Sequence, residues 1–209
     1  MSRPVLARPD INAPSDRDLV EAAQGGDVRA YGTLVERYQQ RIYRLTAHML
    51  KSAADADDVT QDTFVRAFKA LERFDGRSEP FTWIYRIAIN LSLNVLRARR
   101  VRRHSTTDDD PRLEAQLVER RPGYADPAGD SSDRETFATL SAAMDSLSET
   151  LRTTLVLVCV DGQSHADAAK ILGCPEGTVA WRVHEARRKL RERLLEAGVD
   201  LSDLSEGES

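Results

Sequence analysis

Residues 54–103 read ADADDVTQDTFVRAFKALERFDGRSEPFTWIYRIAINLSLNVLRARRVRR, and the stretch passes without a break from acidic, through aromatic, to basic. The acidic start carries Asp55, Asp57, Asp58 and Asp62. The middle carries Phe64, Phe68, Phe74, Phe81, Trp83 and Tyr85, among them four of the chain's five phenylalanines. The end carries Arg86, Arg97, Arg99, Arg100, Arg102 and Arg103, with no Asp or Glu between Pro80 and Ser105. Aromatic side chains stack on bases that have left a duplex, and clustered arginine tracks phosphates. A solvated amphipathic helix accounts for the charges but leaves the aromatics between them unexplained.

Working outward, the periodicity is helical throughout. Ser15-Asp16-Arg17-Asp18 is a helix-start signal for an apolar run, Leu19 to Ala23, that stops at Gly25-Gly26. Tyr31, Leu34, Val35, Tyr38, Ile42, Leu45 and Met49 recur at spacings of three and four, which predicts a long amphipathic helix. A third helix is expected from about 54 to 73 and a fourth from about 81 to 103. Asp75-Gly76-Arg77-Ser78-Glu79-Pro80 forces a loop between them. Residues 104–133 hold Pro111, Pro122, Pro127 and three consecutive Asp with little apolar content, so they read as a flexible acidic linker. Helix resumes near 134, restarts after Ser148 and ends at Asp161-Gly162. Two short helices follow, 164–172 and 178–195, joined by Gly173-Cys174-Pro175-Glu176-Gly177. That turn, with the basic outer face of its second helix, predicts a helix-turn-helix whose second helix enters the major groove. No segment alternates like a strand. The fold class is therefore all-α, two small helical domains joined by the linker.

Across the 209 residues the formal charge is −4, which hides two basic patches. One ends at Arg103 and the other runs Arg182, Arg187, Arg188, Lys189, Arg191, Arg193, with the acidic linker between them. Segregated sign is what an electrostatic footprint on nucleic acid requires. Lysine occurs only at Lys51, Lys69, Lys170 and Lys189, so arginine is the chain's general cation and its mere presence marks no contact. No run is apolar and long enough for a membrane span, and residues 1–15 read as a flexible lead without a signal peptide. A soluble, cytoplasmic protein is expected. Cys159 and Cys174 lack metal spacing, and Cys159 falls in step with Leu151, Leu155 and Val158, which predicts a small buried hydrophobe. No paired carboxylates at metal spacing, phosphate-binding glycine loop or triad is visible, so neither catalysis nor a cofactor or metal is expected.

On the fourth helix, Arg86, Asn90, Asn94 and Arg97 share one quadrant while Ile84, Ile87, Ala88, Leu91 and Val95 line a neighbouring stripe. The stripe packs, and the quadrant faces out with groups that suit base edges and phosphates. Trp83 fits core and DNA contact equally. In the second helix of the helix-turn-helix, Val179, Val183, Ala186 and Leu190 form the inner face. Ala180, Trp181, His184 and Arg188 lie opposite, flanked by Arg187 and Arg191, and Thr178 sits near the helix start where a phosphate binds. His184 has no second ligand at metal spacing.

The motifs DDVTQDTFVRAF, FDGRSEPFTW and YRIAINLSLNVLRARR, in that order, resemble the second conserved region of bacterial sigma factors of the extracytoplasmic-function (ECF) group. LSETLRTTLVLVCVDGQSHADAAKILGCPEGTVAWRVHEARRKL resembles the fourth region. The resemblance implies region 2 over 16–103, the linker 104–133, region 4 over 134–197 and a tail 198–209. It implies that Asp58, Gln61, Asp62, Phe64 and Arg66 dock on a large subunit of core RNA polymerase. For the minus-ten promoter element it implies Asp75, Gly76, Arg77 and Ser78 in a loop that captures a flipped base, followed by Trp83, Arg86, Asn90, Asn94, Arg97 and Arg100. For the minus-thirty-five element it implies Thr178, Trp181, Arg182, His184, Arg187 and Arg188. Family members commonly show a basic, a small and an arginine residue after GTV and another arginine three positions on. Here Ala180, Trp181, Arg182 and Glu185 stand there, so base contacts at 180, 181 and 185 do not carry over directly. If they face the groove, Trp181 suits a thymine methyl and Glu185 a cytosine amino group. An anti-sigma protein is a further implied partner. The competing reading is a helix-turn-helix regulator working apart from polymerase, which leaves the 58–103 progression without a purpose.

Overall fold

A computed structural model describes residues 13–105 and 131–199. The expected lead, linker and tail lie outside the described residues except at 13–15, 104–105, 131–133 and 198–199. All regular structure among the described residues is helical. Helix α1 (Asp16–Gln24) starts on a capping box. The Ser15 hydroxyl accepts from the Asp18 amide at 3.2 Å, and the Ser15 amide donates to the Asp18 carboxylate at 2.9 Å. Asp27 caps α2 (Val28–Leu50) through the Arg29 amide at 2.9 Å, and Ser52 caps α3 (Ala53–Ala70) through the Asp55 amide at 3.3 Å. α3 tightens into a 3-10 turn at Leu71–Arg73, and the loop then leads into α4 (Pro80–Ser105).

Helices α1, α3 and α4 pack around α2, because α2 carries the longest apolar stripe. Leu34, Ile42, Leu45 and Met49 from α2 meet Ala56 and Ala67 from α3 and Ile84, Tyr85 and Ala88 from α4, all buried. The predicted inner stripe of α4 is thus the packed one. Small residues on α3 let it approach closely. The tyrosine hydroxyl of Tyr31 lies inside this core and donates to the Phe64 carbonyl at 2.6 Å, which satisfies the one polar atom the ring brings in.

The second unit comprises α5 (Ser131–Ser146), α6 (Glu149–Leu155) with a π turn at Val156–Val160, α7 (His165–Leu172) and α8 (Glu176–Glu196). The Ser164 hydroxyl accepts from the Asp167 amide at 3.0 Å to start α7, and Gly173 ends it at φ 63°, a left-handed conformation that favours glycine. The chain then turns into α8, whose Val179, Val183 and Ala186 are buried as the periodicity predicts. Its apolar residues belong to the same cluster as those of the first unit. The two units are packed together.

One expectation fails at the π turn. Cys159 is exposed, although its spacing from Leu151 and Leu155 predicts burial. The Asp161 amide donates back five residues, to the Val156 carbonyl at 2.9 Å, and the wider turn shifts every following side chain out of α-helical phase. Leu157 stays inside and Cys159 swings out.

Ile42 has no exposed surface and lies midway along the central helix. Ile42→Ala should lower stability by about 2 to 5 kcal/mol through lost contact and the cavity left behind. A fall in the urea midpoint, followed by far-ultraviolet circular dichroism, is the measurement.

Candidate nucleic-acid interface

The outer face of α3 presents Asp57, Asp58, Gln61, Val65 and Phe68, recurring at three and four. Asp58 and Gln61 are exposed, and Asp62 pairs with Arg66 at 2.9 Å one turn on. Phe64 does not join them. Its ring turns into the core, because position 64 lies on the same helical face as the buried Ala56, Val59, Thr63 and Ala67. The exposed apolar groups of this face are instead Val65 and Phe68, each about half exposed, with Phe68 set edge-on to Tyr31 at 5.0 Å between ring centres. Sequence reading missed them, although their spacing from Asp58 and Gln61 carries the signal. Asp55, at the acidic start, turns away to pair with Arg99 of α4, whose guanidinium also donates to the Leu50 carbonyl at 2.8 Å. Those two residues join helices.

On α4, Arg86, Asn90, Asn94, Arg97 and Arg100 are all exposed. Arg97 donates to the Asn94 side-chain oxygen at 3.2 Å, so the two polar groups sit together on one face. In the loop before it, the Asp75 carboxylate accepts from the Arg77 amide at 3.1 Å and pairs with its guanidinium, and Gly76 takes φ 72°. This closes a small turn that presents the Arg77 side chain almost wholly to solvent, with Ser78 half-buried beside it. Trp83 resolves toward packing. Its half-buried ring lies against Phe74 at 4.9 Å and supports the loop from below.

Along α8, Trp181, His184, Arg187 and Arg188 are exposed, and Trp181 keeps 62% of its surface open to solvent. Thr178 is half-buried in the first turn. Arg182 stands apart from them, half-buried and 3.7 Å from the Cys174 sulfur, on the side that faces α4. Between α4 and the helix-turn-helix lies a cleft of about 360 Å³ lined by Arg86, Asn90, Leu93, Thr153, Leu172 and Arg182. Two arginines predicted for different promoter elements thus meet across one cleft.

The contact between the units is polar at its centre. Asp161, at the end of the π turn, has a side chain only 5% exposed. Its carboxylate accepts from the Tyr85 hydroxyl at 2.7 Å and the Gln163 side-chain Nε2 at 2.7 Å, and Arg41 of α2 lies 3.4 Å away. Burial, with the Asp161 charge beside it, pushes the Tyr85 hydroxyl well above the ordinary tyrosine range, so it stays a donor. Arg86 adds a second tie, donating through Nε to the Lys170 carbonyl at 3.0 Å. Sequence reading had no means of pairing residues 85 and 161, which only the packing brings together.

The chain matches the family model of sigma-70 region 2 over residues 34–102 and that of sigma-70 region 4 over residues 137–190. It is 38% identical to the RNA polymerase sigma-H factor of Pseudomonas aeruginosa, over 88% of this chain and 96% of that one. It is 35% identical to the ECF RNA polymerase sigma-E factor of Escherichia coli K12, over 86% and 94%. The chain belongs to the ECF group of the sigma-70 family. Among solved structures it resembles CnrH in complex with the cytosolic domain of CnrY, with a TM-score of 0.62 and 29% identity over 87% of this chain and 97% of that one. The fold is also that of RpoE from Bartonella quintana, seen with the anti-sigma factor NepR, at a TM-score of 0.60 and 24% identity over 80% and 98%.

The function of this sigma factor is promoter-directed initiation of transcription. A regulator working apart from polymerase is not favoured, because the chain matches region 2 as well as region 4. No helix among the described residues is long and apolar enough to cross a membrane.

Asp161→Asn keeps the shape of the junction and removes the charge that Arg41 and Tyr85 face. The two regions of this sigma factor should separate more readily. Fluorescence transfer between dyes on α1 and α8 should report a lower closed population, while helical content stays constant.

Proposed function

We propose that residues 16–103 dock on core polymerase and open the minus-ten element, and that residues 134–197 read the minus-thirty-five element. The observation that carries the reading is the paired placement of two outward faces on consecutive helices. α3 turns Asp58, Gln61, Val65 and Phe68 outward, and α4 turns Arg86, Asn90, Asn94 and Arg97 outward. An acidic rim around exposed apolar groups suits a basic protein partner, and an acid-free arginine and asparagine face suits DNA. The loop at Asp75 to Ser78 lies at the head of the DNA face, where a flipped base would be held by polar contacts and by the aromatic groups behind it.

The work is binding and strand separation without covalent chemistry, carried out in the cytoplasm where polymerase and promoter are found. Arg86 reaches DNA only after leaving the Lys170 carbonyl, so promoter engagement requires the two regions to part. An anti-sigma protein is the expected controlling partner. The reading is supported by the likeness to CnrH, a chain seen with another protein's cytosolic domain, and by a cleft between the regions that such a segment can enter.

Asp58→Lys combined with Gln61→Ala should weaken core binding about tenfold, or about 1.4 kcal/mol, with helical content unchanged. A competition assay against the parent chain measures it, and equal affinity would remove α3 from the docking surface. Asn90→Ala with Arg97→Ala should lower open-complex formation on linear promoters. A premelted template should restore much of the loss, which separates a defect in opening from one in assembly.

A further inference from the structure

Two glutamates lie on the outermost stripe of the helix that this reading sends into the major groove. Trp181, Glu185, Arg188 and Glu192 follow one another at spacings of four, three and four, opposite the buried Val179, Val183 and Ala186. Carboxylates facing phosphates oppose binding unless a cation neutralises them. Here both converge on one. Arg188 donates through Nε to Glu185 Oε2 at 2.9 Å and through Nη2 to Glu185 Oε1 at 2.8 Å, and its Nη1 reaches Glu192 Oε1 at 2.5 Å. Lys189 stands 3.7 Å from the same Glu185 oxygen.

We propose that Glu185 is a positioning residue that fixes the Arg188 guanidinium for base reading in the upstream promoter element. The inference rests on region 4 reading that element. A guanidinium carries five N–H groups. Glu185 takes two along one edge and Glu192 takes one, which leaves one on each terminal nitrogen. Two terminal N–H donors are what guanine O6 and N7 accept from arginine in the major groove. The Glu185 side chain is 19% exposed and that of Arg188 48%, so the carboxylate lies inside and the guanidinium projects beyond it. The hydrogen bond from Arg188 also holds the Glu185 carboxyl below the ordinary carboxylate range, which keeps the clamp charged. A freely rotating arginine loses rotamer freedom on binding, and one already held loses less.

The assignment differs from a direct role for Glu185. A cytosine amino group competes for an oxygen that already holds Arg188. Trp181, the next residue toward the start of the stripe, remains available to a thymine methyl.

The test uses the full chain assembled with core polymerase and a panel of promoters in which each upstream base pair is varied in turn. Arg188→Ala should flatten the preference at one G·C pair by about tenfold or more. Glu185→Ala should flatten the same pair and no other, and Glu185→Ala with Arg188→Ala should match Arg188→Ala alone. If Arg188→Ala flattens that pair but Glu185→Ala leaves it intact and tightens binding to every sequence equally, Glu185 merely repels phosphate and the inference is overturned. Should Arg188→Ala leave the whole panel unchanged, region 4 does not read DNA through this face, and the functional reading fails together with the inference.

Discussion

A carboxylate that is almost wholly buried must be paired, and the pairing of Asp161 sets how the two helical units sit. Removing one ion from water costs several kcal/mol after relaxation, and the cost is offset only by well-placed donors. The Tyr85 hydroxyl, the Gln163 side-chain Nε2 and Arg41 supply them, two from the first unit and one from the second. Because Tyr85 is itself buried in α4 and Arg41 lies on α2, the carboxylate engages the two helices at the centre of region 2. The π turn that delivers Asp161 also places Cys159 outside, so one local departure from α geometry fixes both residues.

Region 4 covers the part of α4 nearest Arg86, while Asn94, Arg97 and Arg100 farther along stay exposed. Under the proposed reading, promoter binding through Arg86 competes with a polar contact between the regions. The tie is of a kind that can open. Its hydrogen-bonding groups can be satisfied by water, although the apolar residues of the two units also share one cluster. Lys51 at the end of α2 pairs with Asp145 of α5 as a third link, but both side chains are partly exposed and the pair contributes little.

Arginine serves two separate purposes in this molecule. Arg17, Arg37 and Arg99 pair with Glu79, Asp16 and Asp55, carboxylates distant in sequence, and hold helices together. Arg97, Arg100 and Arg188 lie on exposed faces, whereas Arg86, exposed as well, ties α4 to α7 through the Lys170 carbonyl. Nothing in residue type distinguishes the two groups. The partner does, because Arg17, Arg37 and Arg99 reach a carboxylate of another segment while Arg97 and Arg188 pair within their own helix.

How much was legible in the sequence follows from the range of each interaction. Helix starts at Ser15, Asp27, Ser52 and Ser164, the stop at Gly173 and the inner stripes of α2, α4 and α8 depend on neighbours within four residues, so periodicity and capping chemistry determined them. The acidic-to-basic progression of residues 54–103 determined which helices carry exposed charge. Spacing put Val65 and Phe68 on the face of Asp58 and Gln61 and Phe64 on that of Ala56 and Val59, and tertiary structure decided which of those faces α2 covers. It decided that Trp83 buttresses a loop, that Arg86 meets the Lys170 carbonyl and that Tyr85 meets Asp161. The last two pairs are separated by tens of residues, and their energies depend on burial that no local pattern encodes. The Glu185 clamp on Arg188 is the intermediate case. Its i,i+3 spacing is written in the sequence, but only the folded helix shows both Glu185 oxygens taken by Arg188 while Lys189 stands farther off.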